Sequence, residues 1–309
     1  MRTRTVTIAL AILLLALAPS AMGQDAPVTG STPPVGQGSG NVKLRLQLDR
    51  DVIKVCEPIY LSMTAEQFDE SAPPSVQVRF KDEAPIDLGP MEKQWQRATP
   101  LPTIKRMGVM LLDTTVGQTR RYIFDQPGVY HLRIKIGPDI TPLKVTVDAG
   151  SLNDAKAFAE LTPENAAAIF AEAPSDPPTI ELVSACEALA RKYPDSSAAD
   201  YCRSYAAIAG FKNTAQINKR GGGKLVWDSV AEQLLRVLPA HQKDFFGEEV
   251  GYYTAYSQGL CHEYIDVVKT IDSIPTRMTA YGDLMYAMKR EVASHLRPQE
   301  VKPPATPAQ

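Results

Sequence analysis

The stretch LVSACEALARKYPDSSAADYCRSYAAI, residues 182–208, reads as two helices joined by a tight turn at Tyr193-Pro194-Asp195-Ser196. Leu182, Val183, Cys186, Leu189, Ala190 and Tyr193 fall on one side of the first helix. Ala198, Tyr201, Cys202, Tyr205, Ile208 and Ala209 do the same on the second. Each set is the apolar stripe of a helix with a 3.6-residue period. Cys186 stands eight residues before Pro194 and Cys202 eight after it. Antiparallel helices rising ~1.5 Å per residue therefore hold the two cysteines at one height. A disulfide needs Cα atoms within about 7 Å, and the small Ala185 and Ala206 allow that approach. Closing a loop of about 15 residues stabilises by roughly 3 kcal/mol in the chain-entropy model. The spacing predicts a Cys186–Cys202 disulfide; two buried free thiols are the alternative. For Cys56 and Cys261 a bridge between the two halves of the chain and two free thiols both stay open.

The helical period continues on both sides of this hairpin. Residues 151–173 hold one or two short helices, with Thr162-Pro163-Glu164 a helix start. Four more helices follow at about 225–238, 245–260, 262–271 and 277–296. The one at 245–260 is apolar over a wide arc and is expected to have neighbours on two sides. Gly221 to Gly223 interrupt the spacing, and no clean repeat period is visible. Within this half, ALARKYPDSSAADYC (residues 188–202) resembles tetratricopeptide-type repeats of exported bacterial proteins, which implies a divergent helical-repeat domain.

Before residue 150 the period is two. Val42, Leu44, Leu46 and Leu48 alternate with polar residues, as do Ile59, Leu61 and Met63, and Val76, Val78 and Phe80. Tyr130, Leu132, Ile134 and Ile136, then Leu143, Val145 and Val147, repeat the pattern. Alternation of this kind means strands with one buried and one wet face. Two further strands are expected at 109–112 and 121–124. Several short strands with no helical pattern between them predict an antiparallel β-sandwich. CEPIYLSMTA (residues 56–65) and FDQPGVYHLRIKI (residues 124–136) resemble strands of immunoglobulin-like domains in exported bacterial proteins, which implies a fold type and no activity. The expected fold is thus two domains: an all-β immunoglobulin-like sandwich at 41–149, then an all-α, tetratricopeptide-like helical-repeat domain at 150–297. Residues 81–106, with Pro85, Pro90, Pro100 and Pro102, read as a long loop of the kind that often carries function. Trp95 lies in it, and core anchoring outweighs ligand contact as its role.

Residues 1–23 read as a signal peptide, with Arg2 and Arg4 at the start, an apolar run at 8–18 and Ala21-Met22-Gly23 at the cleavage site. The run is shorter than the roughly 20 residues a membrane helix needs, so no transmembrane segment is expected. Residues 24–40 read as a flexible linker and 298–309 as a disordered tail, both rich in Pro and small polar residues. The expected location is extracytoplasmic and soluble, periplasmic or secreted, where disulfides persist. The full chain has a formal charge of −2. Without Arg2 and Arg4, 31 basic residues face 35 acidic ones, a charge of −4 and no footprint for nucleic acid.

Motifs that would carry chemistry are missing or broken. His262-Glu263-Tyr264-Ile265-Asp266 departs from the H-E-x-x-H metal helix at its second histidine, so no metal site is expected. Residues 219–225, KRGGGKL, lack the spacing of a phosphate loop. No G-x-S-x-G elbow occurs, and no catalytic residue and no cofactor is assigned. Glu248-Glu249 read as a solvated helix face. Tyr252 and Tyr256, with Trp95, are the candidates for a binding surface, because aromatic residues are favoured at interfaces. Core packing is the stronger reading of the tyrosines. The expected function is non-enzymatic: an exported binding or scaffolding module that contacts another protein or a cell-envelope component. The runner-up is an extracytoplasmic hydrolase with a site at the domain cleft.

Overall fold

The computed structural model describes residues 36–37, 44–65, 75–90, 96–100, 105–116, 118–136, 139–170, 178–218, 224–274 and 279–296. They belong to one compact unit, Pro33–Gln309. The expected leader at 1–23, most of the expected linker at 24–40, Trp95, Gly221 to Gly223 and the expected tail at 298–309 lie outside the described residues.

The strands are β1 (Gly36–Gln37), β2 (Leu44–Leu48), β3 (Val52–Lys54), β4 (Ile59–Ala65), β5 (Ser75–Phe80), β6 (Ile86–Pro90), β7 (Gln96–Pro100), β8 (Lys105–Leu111), β9 (Asp113–Val116), β10 (Thr119–Tyr122), β11 (Gly128–Ile136) and β12 (Asp139–Asp148). The first sheet has the order β1-β2-β4-β8-β7 and the second β3-β12-β11-β5-β6; β9 and β10 form a separate hairpin. The alternating residues do meet between the two large sheets. Leu46, Leu48, Ile59, Leu61, Val109 and Leu111 from the first pack with Val76, Val78, Tyr130, Leu132, Ile134 and Val145 from the second.

Eight α-helices follow among the described residues: α1 (Leu152–Leu161), α2 (Pro163–Phe170), α3 (Ile180–Lys192), α4 (Ser197–Ile217), α5 (Lys224–Val237), α6 (Phe246–Leu260), α7 (Tyr264–Asp272) and α8 (Ala280–Leu296). A 3-10 turn, Leu238–His241, links α5 to α6. The predicted hairpin is α3 and α4. Thr179 caps α3 through the Leu182 amide, and Ser196 caps α4 through the Ala199 amide. Helix α4 buries residues on most of its circumference, from Ala198 to Phe211, and is a central helix rather than one with a single stripe.

The expected fold class, an all-β immunoglobulin-like sandwich followed by an all-α repeat fold, is overturned, while the order of strands in the first half and helices in the second is as expected. The fold is a mixed α and β unit with its strands in several sheets. The parallel pair β3–β12 departs from an antiparallel sandwich, with Thr146 opposite Val52 and Val147 opposite Ile53. More tellingly, one hydrophobic core joins the halves: Tyr60, Leu112 and Tyr122 pack with Phe158, Phe170, Tyr201, Phe245 and Phe246. The expected wet face of β4 is therefore dry, with Tyr60 3% and Ser62 7% exposed. Tyr60 stacks on Phe245 at 5.4 Å between ring centroids. Gly108 on the neighbouring β8 makes room for it, since a Cβ there would lie 1.8 Å from the Tyr60 hydroxyl.

The predicted long loop at 81–106 is also corrected. It contains β6 and β7, which sit at the edges of the two sheets and pair with β5 and β8. Pro90 and Pro100 close these strands, and edge positions tolerate proline because the missing N–H need not serve a central ladder.

Candidate functional site

A concentration of buried charge lies where the first sheet meets the helices. Asp49 and Arg50 follow the end of β2, and Glu57 precedes β4. Across from them, Tyr201 comes from α4, while His241 and Asp244 flank the turn into α6. Asp49 Oδ1 accepts the Tyr60 amide at 2.8 Å, and its Oδ2 accepts the Phe245 amide at 3.3 Å. One carboxylate thus satisfies a backbone donor in each half, the second of them 196 residues from Asp49 in the chain. Arg50 donates to the Pro58 carbonyl at 2.8 Å, to Glu57 at 3.3 Å and to the Tyr201 hydroxyl at 3.2 Å. Its Nε lies 3.4 Å from Asp49. Tyr201 passes the chain on by donating to Asp244 Oδ2 at 3.1 Å, which also meets His241 Nδ1 at 2.9 Å. The Gly247 amide donates to Asp244 Oδ1 at 3.1 Å. Glycine is required at 247, because a Cβ there would lie 2.0 Å from the His241 carbonyl oxygen.

Three carboxylates face one guanidinium in this pocket of low dielectric, and that imbalance sets the titration. Burial pushes Asp49 up to about 6, against the opposing pull of Arg50 and of the Tyr60 and Phe245 amides. Burial opposes charge on His241, but Asp244 and the Asp200 backbone carbonyl outweigh it and raise the imidazole above its ordinary value. Burial likewise opposes charge on Asp244, and His241, Arg50 and the Gly247 amide together hold it below the usual carboxylate range. The arrangement of tyrosine, aspartate and histidine resembles a proton relay only in its order. His241 is 2% exposed, and its ring is packed against Tyr201 at 4.8 Å and Phe246 at 5.4 Å. Beyond Asp244 at Nδ1, the ring has the Asp200 backbone carbonyl nearby. These groups hold the two halves together.

A second link of the same kind lies nearby. Asp154 closes a capping box with Ser151 at the start of α1. Its other oxygen accepts the Ser197 amide at 2.8 Å at the start of α4, and Lys54 of β3 reaches it at 3.3 Å. Burial opposes its charge, yet the Ser151 and Ser197 hydrogen bonds and Lys54 bring Asp154 down to about 2.

The residues singled out from sequence fall elsewhere. Tyr252 and Tyr256 are half-buried on α6 and pack against the helical core, 6.0 Å apart between ring centroids. Tyr252 also faces Tyr281 at 5.4 Å. Glu248 and Glu249 are not a solvated face; they are 0% and 7% exposed. Glu248 accepts the Thr279 amide at 2.8 Å and its hydroxyl at 2.7 Å, which anchors the start of α8. Glu249 accepts the Tyr281 hydroxyl at 3.1 Å and has Lys212 at 3.9 Å. Cys186 and Cys202 are both wholly buried between α3 and α4, and the Cys186 thiol is within hydrogen-bonding reach of the Cys202 sulfur. That contact, then burial, pushes the Cys186 thiol far up. All four cysteines are thiols in this structure. Among the described residues no group of three His, Cys, Asp or Glu is placed to hold a metal ion, and no helix is long and apolar enough to cross a membrane.

Sequence reasoning missed the Asp49, Arg50, Glu57, Tyr201, His241 and Asp244 network entirely. Asp49 and Arg50 read locally as turn punctuation, and their partners are distant in the chain. A comparison with protein-family models finds no match, and a search of the curated proteins finds no similar sequence.

Proposed function

We propose that this chain is an exported, non-enzymatic binding or scaffolding protein that contacts a component of the cell envelope. The observation that carries the reading is the fate of its reactive side chains. The histidine, tyrosine and carboxylates at the boundary of strands and helices are engaged with one another and closed in by aromatic rings. Catalytic acids and bases with shifted pKa values ordinarily line a cleft that a substrate can enter. A boundary sealed in this way serves instead to fix one surface relative to another. Export rests on the leader pattern at 1–23.

The test is to immobilise the full mature chain, expose it to solubilised envelope material, and assay it in parallel on ester, peptide and glycosidic substrates. Saturable capture with no turnover is the expected result. Turnover that disappears in a folded His241→Gln variant would overturn the reading.

A further inference from the structure

The outer face of the second sheet carries a cluster of exposed basic residues. Inward positions of β5, β11 and β12 fill the core, so their alternate residues point the other way. The register then sets Arg79, His131 and Lys144 side by side across three strands. The next row along is Gln77, Arg133 and Pro142, and the one beyond it is Ser75, Lys135 and Ile140. Arg79, Lys81, His131, Arg133, Lys135 and Lys144 are all exposed. Neighbouring strands lie about 4.8 Å apart and alternate residues about 6.8 Å apart along a strand. Arg79, Lys81, Arg133, Lys135 and Lys144 thus form a small grid of cations around His131, in a chain whose formal charge is −2.

Few acids neutralise it. Asp82 reaches Arg79 at 3.9 Å, and Asp87 is held near the β6 edge by Gln77 at 3.5 Å. Among the described residues His131, Arg133, Lys135 and Lys144 have no ion-pair partner. A cleft of about 490 Å³ runs over this face, lined by Arg79, Lys81, Asp82, His131, Leu132, Arg133 and Pro142. Across strands the cations are diagonal rather than directly opposite neighbours, so their mutual repulsion is small, and a bound anion relieves it.

We infer that this face binds a linear acidic polysaccharide, a flexible chain whose repeated anionic groups lie across the β5, β11 and β12 rows. The inference rests on the binding role proposed above and names its partner. Charge complementarity selects a polyanion. The named rows carry no Phe, Tyr or Trp, the stacking platforms that favour a nucleic-acid strand. A bilayer surface is disfavoured as well, because the rows offer Ile140 as their one large aliphatic side chain and no amphipathic helix.

The experiment measures binding of the full mature chain to a fluorescent heparin dodecasaccharide, a soluble sulfated glycan, by anisotropy between 20 and 200 mM salt. The expected result is binding that weakens steeply with salt. An Arg133→Glu/Lys144→Glu variant is expected to lose at least tenfold in affinity, with the log–log salt slope falling by about two. These side chains are exposed, and an unchanged melting temperature confirms that the variant is folded. Equal binding by wild type and variant would overturn the assignment. So would binding to vesicles of anionic phospholipid with none to the glycan. Should the wild type ignore heparin and anionic glycans yet still capture an envelope component, the basic face is refuted while the binding role stands. Substrate turnover with no capture refutes the binding role itself.

Discussion

Two sheets written in the same alternating pattern end with opposite outer faces. The first buries Tyr60 and Ser62 beneath helices, while the second leaves Arg79, His131, Arg133 and Lys144 in solvent. The difference lies in what each alternate position carries. Tyr60 offers a large ring that stacks on Phe245, and Gly108 beside it leaves space for that ring. Lysine and arginine at the matching positions of the second sheet offer nothing a helix could cover cheaply. Charge appears at both faces, but on the covered side each carboxylate of the network has a named donor or cation, and on the bare side most cations have none. Paired charge here marks structure, and unpaired charge marks a surface open to a partner.

The strongest way to break the covered side is Arg50→Met. It leaves Asp49, Glu57 and Asp244 buried without their shared cation, and a loss of about 3–5 kcal/mol is expected in urea unfolding. Gly108→Ala should cost about 1–3 kcal/mol by driving a methyl group into Tyr60, again read from the urea midpoint. Asp154→Ala removes a capping box and the Ser197 and Lys54 contacts, and about 1–2 kcal/mol is expected.

Acidity sharpens the comparison further. Asp49 titrates near 3.8 unfolded and about 6 folded, so its favourable share is complete below pH 3.8 and is lost as pH rises through 6. The folded pKa of His241 is raised, so its share is complete below 6.5 and fades as pH climbs through the folded value. Asp244 and Asp154 act in the opposite sense: their shares hold above 3.8 and are lost as pH falls, for Asp154 toward 2. Stability is therefore expected to peak between about pH 4 and 5 and to decline toward pH 8. A urea-midpoint series checks this, and a midpoint that rises steadily from pH 4 to 7 would contradict it. The smallest effect belongs to the bare side, where Arg133→Glu/Lys144→Glu should shift stability by no more than about 0.5 kcal/mol.

Local pattern was enough for most elements. Alternation marks β2, β4, β5, β11 and β12, and the 3.6 period with its Tyr-Pro turn marks α3 and α4. What it missed shares one physical cause. β6 and β7 are edge strands, whose prolines and weak alternation look like loop because half their backbone needs no partner. Tyr60 alternates as a polar position would, and only a helix supplied from residue 245 onward makes it core. Glu248 and Glu249 look solvated until Thr279 and Tyr281 arrive as their donors. Asp49 and Arg50 look like a turn because Tyr201 and Asp244 are distant in sequence. Periodicity reports which side of an element is apolar, and it is silent on what another part of the chain brings to the polar side.

Native-state hydrogen exchange on the full chain tests the central claim, that the covered sheet and the helices are one structure sealed by the Arg50 network. Slowly exchanging amides of Leu61 in β4 and Val109 in β8 should open with the same free energy as those of Thr254 and Ala255 in α6, to within about 0.5 kcal/mol. Helical amides that open while β4 and β8 stay protected would contradict it.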